Sequence, residues 1–412
     1  MNDLRPENEI LICVARKVLN DELSARLRAL AQQEIDWDFL LAAASEHNLL
    51  PLLYNHLTAA SPDLVPEPIL SKLKEEFLTN DQCNLYLMGE LIRILELLGA
   101  NGIKALAFKG PVLAAMVYGD LALRQAGDLD VLILKEDFEK AKDLLQTAGY
   151  MMEPQLTGSQ QSSHLRFHCE IQFVHHEQVS VVDLHWGVAP RTFPFTLDPS
   201  GLLDRSILLT FAGHAIRTFA AEDLLLYLCM NAAKDNWNQL ESVALVAELL
   251  RSSEVLDWAV LLNRARESGG TKMLVLGLWL ARDIFEAEIP EVSESLNGGR
   301  SVNRGRQTKV CRTYESLRQC ALKIERQLLR EERQPPTPLQ TFRMNLQCLE
   351  RKRDAVAGLV RAVLVPTISD WQMVTLPGFL YPLYYLLRPV RLFGKYASAI
   401  FHNSEISRQN AT

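Results

Sequence analysis

The spacing of apolar residues divides the chain into helical flanks around a short segment of strands. From Ile10 to about Leu98 the apolar positions recur at intervals of three and four residues, as they do between Leu85 and Leu98. This spacing predicts amphipathic helices. The same spacing returns from Glu222 to about Glu288, so we expect helical layers before and after the strands.

Two short strands with a turn and a helix between them are predicted in the middle of the chain. The apolar run from Ile103 to Phe108 has strand length, and the triplet Lys109-Gly110-Pro111 ends it. Pro111 suits the first turn of a helix, where its missing N–H leaves no hydrogen bond unmade. A second strand is predicted from Asp128 to Leu134, which is rich in β-branched and aliphatic residues.

An antiparallel hairpin is predicted next, because two segments alternate between apolar and polar positions. The first runs from Phe167 to Phe173 and the second from Val181 to Trp186, with the turn near Glu177. One face of the hairpin is apolar. The other carries Glu170, Asp183 and His185. The neighbouring pair His175-His176 is expected in an exposed loop, and the tryptophans at 237, 258 and 279 are expected to pack between helices.

Length and composition indicate a globular chain of several parts. It has 412 residues, of which 48% are hydrophobic, and a chain of this size commonly forms two or three domains. We expect an N-terminal helical region at 1–96, an α/β core at 97–190, a helical domain at 191–290 and a basic helical region at 291–412. The predicted fold class is α+β, predominantly helical, with a small sheet; the family resemblance described below implies that this sheet is mixed.

Charge is divided unevenly along the chain. Residues 300–412 hold 19 Lys and Arg against 8 Asp and Glu, net +11, whereas the remainder holds 24 against 42, net −18. The acidic body argues against a surface that binds nucleic acid everywhere. The basic quarter could bind RNA, an acidic partner or the protein's own acidic body. Of these three binding partners we favour the acidic body.

The remaining composition predicts a cytoplasmic protein. Its seven cysteines are scattered and never spaced as CxxC, which favours neither a disulfide framework nor a zinc site. The first ten residues are charged where a signal peptide needs an apolar core. No apolar run reaches the ~18–20 residues of a membrane span.

The candidate chemistry lies between Lys109 and Asp130. Side chains two apart on a strand project to one side, so Asp128 and Asp130 are expected to place two carboxylates together, and such a pair needs a cation between them. Mg²⁺ suits this role because it binds one or two carboxylates plus substrate phosphates. Lys109, Gly110 and Arg124 are the candidate phosphate contacts. A plain turn with a solvated lysine is the alternative.

A third carboxylate is predicted on the polar face of the hairpin. Asp183 is the preferred residue, and Glu170 stays as the alternative. In a two-metal phosphoryl-transfer site this acid binds one ion or accepts the proton of the nucleophile. We expect His185 to orient Asp183 or to pack beside it rather than to bind metal.

These motifs resemble the uncharacterised nucleotidyltransferase-like family of the DNA polymerase beta superfold. The resemblance rests on Phe108-Lys109-Gly110, on Gly127 to Ile133 and on Val182 to Trp186, and weaker similarity spans most of the chain. It implies that Asp128 and Asp130 are metal ligands and that a nucleoside monophosphate is transferred from an NTP with the help of two Mg²⁺ ions. ATP is among the donors that the resemblance implies. The sequence departs from the superfold's Gly-Ser pair, where it has Lys109-Gly110.

Two functions from different classes follow. The first is a Mg²⁺-dependent nucleotidyltransferase whose acceptor is a small molecule, a peptide or protein side chain, or an RNA end. The second is a catalytically silent binding scaffold that keeps the fold, and it is motivated by the absent serine.

Overall fold

The computed structural model describes residues 4–177, 180–252, 256–289, 304–329, 349–350, 352–374 and 376–394. Five helices come first in the chain: α1 (Pro6–Val14), α2 (Asp21–Ala31), α3 (Trp37–Glu46), α4 (Leu50–Ala60) and α5 (Glu67–Ala100). Side-chain caps define two of their starts, since Asn20 accepts from the N–H of Leu23 and Asp36 from that of Phe39. Such caps satisfy N–H groups that have no partner inside the helix. The N-terminal helical layer predicted from the periodicity is therefore present.

A five-stranded mixed sheet follows. Its strands are β1 (Ala105–Ala107), β2 (Leu129–Ile133), β3 (Met151–Glu153), β4 (Glu170–His175) and β5 (Ser180–His185), and their spatial order is β1-β2-β5-β4-β3. Only β2 and β5 pair in parallel; the other neighbours are antiparallel. The connecting helices are α6 (Gly110–Val117), α7 (Phe138–Thr147) and α8 (Gly158–Phe167). The two strands, the short helix and the hairpin predicted from the sequence are thus confirmed.

Helices dominate the rest of the described chain. They are α9 (Pro199–Asp204), α10 (Ala221–Lys234), α11 (Leu240–Ser252), α12 (Trp258–Ser268), α13 (Thr271–Phe285), α14 (Arg304–Leu328), α15 (Lys352–Leu364) and α16 (Ile368–Met373). A separate hairpin, β6 (Ile207–Phe211) with β7 (His214–Thr218), precedes α10. Residues 384–394 are also helical. None of the described helices is long and apolar enough to cross a membrane.

Two apolar cores hold these elements together. One lies under the sheet and joins α5 and α7 to residues such as Val131 and Leu184. The other joins α1–α4 to α10–α14, and it includes Phe108 and Leu132 from the sheet. The fold is therefore α+β and predominantly helical around a small mixed sheet, as the sequence predicted. Trp237 is buried in the second core, and Trp258 and Trp279 pack against it.

The histidine pair at positions 175 and 176 differs from the prediction. His175 is buried on β4, where its ring meets the edge of Tyr150 at 5.1 Å between centroids. Only His176 is exposed, and its Nε2 lies 2.9 Å from Glu153. The exposed-loop prediction was wrong for His175 because β4 runs two residues further than Phe173.

Part of the basic quarter docks on the acidic body. Arg318 on α14 pairs with Asp283 on α13, and Leu317 and Ile324 are buried in the second core. Arg388 and Arg391 bind Asp370, within the basic quarter itself. Arg330 and Arg333, like the side chains at 304, 306, 309 and 312, lie outside the described residues.

Candidate functional site

The turn between β1 and α6 is pressed against the start of β2. Gly110 has φ +55°, and a Cβ at this position would lie 2.6 Å from the carbonyl oxygen of Asp128. A side chain is disfavoured by the left-handed backbone, and at 2.6 Å there is no room for one. Glycine therefore allows the Lys109-Gly110 turn to approach the segment that carries the acidic pair.

Asp130 is the buried centre of the site. Its side chain is 0% exposed, and its Oδ1 accepts hydrogen bonds from Lys109 Nζ at 2.7 Å and His185 Nε2 at 3.0 Å. Its Oδ2 is buried and has no hydrogen-bond partner among the described residues. Burial works to raise the pKa of Asp130, but His185 and Lys109 outweigh it and lower the pKa to about 2. The carboxylate is therefore charged.

Asp183 faces Asp130 across the parallel pair of strands. The register sets Asp130 opposite Asp183, and Gln172 Nε2 donates to Asp183 Oδ1 at 3.3 Å. Burial, followed by the charges of Asp130 and Asp128, raises the pKa of Asp183 to about 6. The pKa of Asp128 is also raised, by burial and then by Asp130. The negative charges of the three acids therefore act against one another.

His185 contacts a different acid from the one that we expected. Its Nε2 donates to Asp130, and its Nδ1 lies 3.2 Å from Glu170 Oε2. Among the described residues no hydrogen bond joins it to Asp183, so of the two expected roles only packing beside Asp183 is found. One ligand atom each from Asp130, Asp183 and His185 lie within 4.8 Å of one another. Glu170 belongs to the outer side of His185, with its side chain 46% exposed.

Lys109 is held in an aromatic corner beside Asp130. Its Nζ lies 5.7 Å from the ring centre of Phe108 and 5.9 Å from that of Tyr227. Burial opposes its charge, yet Tyr227 and Asp130 more than compensate and raise the pKa of Lys109. A permanent cation therefore sits against Asp130 Oδ1. Tyr227 lies on α10, far along the chain, and nothing in its own sequence context indicated this contact.

Arg124 supports the turn from behind. Its Nη1 donates to the carbonyl of Gly110 at 3.3 Å, and its Nε lies 2.8 Å from Glu241 Oε1. Glu241 also accepts a hydrogen bond from Asn48 Nδ2 at 3.1 Å. The backbone of Arg124 is tied to α5, because Asn84 Nδ2 donates to its carbonyl at 2.6 Å. Sequence reasoning missed Glu241, although an acidic residue in the apolar pattern of α11 was a signal that it needed a buried partner.

Comparison with known protein families identifies the family of the chain. The chain belongs to a family described as uncharacterised nucleotidyltransferases, whose model matches residues 33–286. That range contains every candidate site residue named above. No curated protein matches the chain.

Two solved structures show weak similarity. The antibiotic-resistance factor ANT(2'')-Ia is 13% identical with a TM-score of 0.32, over 45% of this chain and 92% of its own. A nucleotidyltransferase-like protein from Paracoccidioides brasiliensis is 12% identical with a TM-score of 0.33, over 50% of this chain and 95% of its own. At TM-scores this low, the assignment rests on the family match.

Proposed function

We propose that the protein is a Mg²⁺-dependent nucleotidyltransferase that moves a nucleoside monophosphate from an NTP to a hydroxyl acceptor. The observation that carries this proposal is the buried, unpartnered Oδ2 of Asp130 beside two further carboxylates. A buried polar atom without a partner is uncommon in folded proteins. A divalent cation would use this oxygen and relieve the repulsion among the acids.

The donor set fits magnesium. Asp128, Asp130 and Asp183 supply only carboxylate oxygens, which Mg²⁺ prefers. We assign these three acids as the ligands of two ions and keep Glu170 as a residue that acts through His185. When bound, the metal supplies charge stabilisation for the transferring phosphoryl group.

Asp183 is the residue that we assign to proton transfer. Burial is the largest cause of its raised pKa, does not depend on the other two acids, and favours proton acceptance by Asp183 relative to a solvated aspartate. Asp183 is half-buried, whereas Asp130 is fully enclosed. An acceptor hydroxyl would therefore reach Asp183 more easily than Asp130.

The turn at Lys109 and Gly110 is assigned to the triphosphate. Helix α6 begins at Gly110, so its first N–H groups and its positive end lie at this turn. Lys109 adds a permanent charge there. Arg124 contributes by holding the Gly110 carbonyl, and we place it on the phosphate side of the site as a positioning residue. Residues 97–190 then form the catalytic core.

A binding scaffold without catalysis is the second candidate, and one contact favours it. Lys109 Nζ occupies Asp130 Oδ1 at 2.7 Å, which is where a cation would otherwise bind. If the protein is a binding scaffold, the ammonium group of Lys109 permanently takes the place of the metal ion.

Calorimetry with each of the four NTPs, with and without Mg²⁺, tests the proposal. We expect Mg²⁺-dependent binding that weakens by at least about tenfold, or ~1.4 kcal/mol, in Asp130→Asn. Asp143→Asn is the matched control, because it removes an exposed carboxylate on α7. Circular dichroism verifies that both variants fold.

Labelling with α-³²P NTPs in cell extract then separates catalysis from binding. Transfer of label by the wild type, and its loss in Asp130→Asn, supports the enzyme. Binding without transfer supports the scaffold. Absence of Mg²⁺-dependent affinity for every NTP would refute the proposed function.

A further inference from the structure

A cavity outside the acidic cluster lies at the end of the sheet where β2 and β5 finish and β4 begins. Its volume is about 250 Å³. Trp186, Val188 and Phe195 contribute apolar lining, and Lys135, Arg166 and Arg191 contribute three cations. None of the proposed catalytic acids lines it.

The cavity carries positive charge that the described residues do not neutralise. No Asp or Glu is among its lining residues. Within the described part of the chain, none of the three cations forms an ion pair with a carboxylate. Burial, followed by the positive charges of Arg191 and Arg166, lowers the pKa of Lys135. The three cations therefore act on one another electrostatically. All three are exposed residues in a body of net charge −18 up to residue 299.

The walls of the cavity are fixed by hydrogen bonds. The N–H of Arg191 donates to the carbonyl of Phe167 at 3.0 Å, and Arg361 Nη1 donates to the carbonyl of Arg191 at 3.0 Å. Trp186 Nε1 donates to the carbonyl of His168 at 2.9 Å. The backbone that carries Arg191 and the indole of the lining are therefore set before any ligand arrives, which lowers the entropy lost on binding.

The cavity borders the candidate active site. Cys169 is one of its lining residues, and one ligand atom each from Cys169, Glu170 and His185 lie within 4.8 Å of one another. His185 Nε2 is 3.0 Å from Asp130 Oδ1. A molecule held in the cavity would thus have one end beside the His185 side of the acidic cluster.

We propose that this cavity binds the anionic group of a small phosphorylated or carboxylated molecule with an apolar body, and that this molecule is the acceptor. The second clause rests on the proposed function. Guanidinium groups bind both phosphate and carboxylate through paired hydrogen bonds, and the aromatic lining would bury the apolar part. A site of this size suits one ring and one anionic group.

Binding of three probes in EDTA tests the site without any metal or nucleotide. The probes are phenyl phosphate, benzoate and inorganic phosphate, measured by calorimetry at low salt. We expect phenyl phosphate or benzoate to bind the wild type, and whichever binds more tightly identifies the anionic group. Inorganic phosphate should bind more weakly than phenyl phosphate, because it does not use the apolar lining.

Substitutions locate the binding. Arg191→Gln and Lys135→Gln should each weaken the better probe by at least about tenfold. Lys74→Gln, which removes an exposed charge on α5, is the matched control and should leave affinity within about twofold. Absence of binding by all three probes, or equal affinity in Arg191→Gln and Lys74→Gln, would overturn the inference.

Two further measurements keep this inference distinct from the proposed function. Asp130→Asn should leave phenyl phosphate affinity in EDTA unchanged; a loss equal to that in Arg191→Gln would place the probe at the carboxylates and overturn the cavity assignment. In the labelling assay, Arg191→Gln should lower label transfer while NTP affinity stays constant. Undiminished transfer would overturn the acceptor role, whereas a wild type that transfers no label would refute the proposed function alone.

Discussion

Replacement of Gly110 by alanine tests how the site is assembled. The backbone there has φ +55°, and the added Cβ would meet the carbonyl oxygen of Asp128 at 2.6 Å. The left-handed backbone disfavours alanine by about 1–2 kcal/mol. The overlap adds about 1–3 kcal/mol, the usual range for an overpacked position. The free energy of unfolding should therefore fall by about 2–5 kcal/mol.

Two other glycines separate these contributions. Gly102 has φ +75° with nothing within 4 Å of the added Cβ, so Gly102→Ala should lose only the backbone part, about 1–2 kcal/mol. Gly127 has neither a left-handed backbone nor a neighbour within 4 Å. Gly127→Ala should leave stability almost unchanged.

Urea unfolding followed by circular dichroism gives the three values. The midpoints should fall in the order Gly127→Ala, Gly102→Ala, Gly110→Ala, with similar slopes, since a mutation that changes only stability leaves the slope unchanged. Gly110→Ala should also weaken Mg²⁺-dependent NTP binding, because its Cβ pushes on the segment of Asp128. A Gly110→Ala protein no less stable than Gly102→Ala would refute the close contact between turn and strand.

Three further predictions concern charged groups. Mg²⁺ affinity should fall as the pH drops through about 6, because protonation of Asp183 removes a ligand. Because burial raises the pKa of Asp183 in the folded protein, Asp183→Asn should stabilise the metal-free protein at pH 7–8, where the wild-type carboxylate is charged. Thermal melts of both proteins at pH 4.5 and 7.5 would check this, since the gain should be present at pH 7.5 and smaller at pH 4.5. Arg124→Met should destabilise the protein by about 3–5 kcal/mol, because it leaves the buried carboxylate of Glu241 without its cation. In urea unfolding, the double variant Arg124→Met with Glu241→Met should recover much of that loss in the free energy of unfolding. Additive losses in the two single variants and the double variant would contradict the pairing. Asp370→Ala should speed proteolysis within 376–394, because Arg388 and Arg391 lose their shared carboxylate; an unchanged digestion pattern would contradict this anchor.

The strands and the acidic pair were predictable because their signals are local. Alternation along 167–186 defined the hairpin and placed Asp183 on its polar face. The two-residue spacing of Asp128 and Asp130 predicted that both lie on one side of a strand; in the structure β2 begins at Leu129, one residue after Asp128. Turn residues marked the end of β1 in the same way.

The contacts of the site were not predictable because they depend on strand register and on distant helices. His185 binds Asp130 rather than Asp183, and this follows from the parallel pairing of β2 with β5, more than 50 residues apart in the chain. Lys109 reaches Asp130 only because the Gly110 turn folds back onto Asp128. Spacing along a single segment carries no information about such pairings.

The support that Arg124 receives from Glu241 has a consequence for dividing the protein. Residues 97–190 hold every proposed catalytic side chain, but a fragment cut there would leave Arg124 without its acid and Phe108 without the ring of Phe219, 4.9 Å away. We therefore expect the fragment 97–190 to be insoluble when produced alone. Separately produced halves, 1–190 and 191–412, should instead recover NTP binding when they are refolded together. The second half supplies Glu241 and Phe219, whose contacts with Arg124 and Phe108 support the turn of the first half.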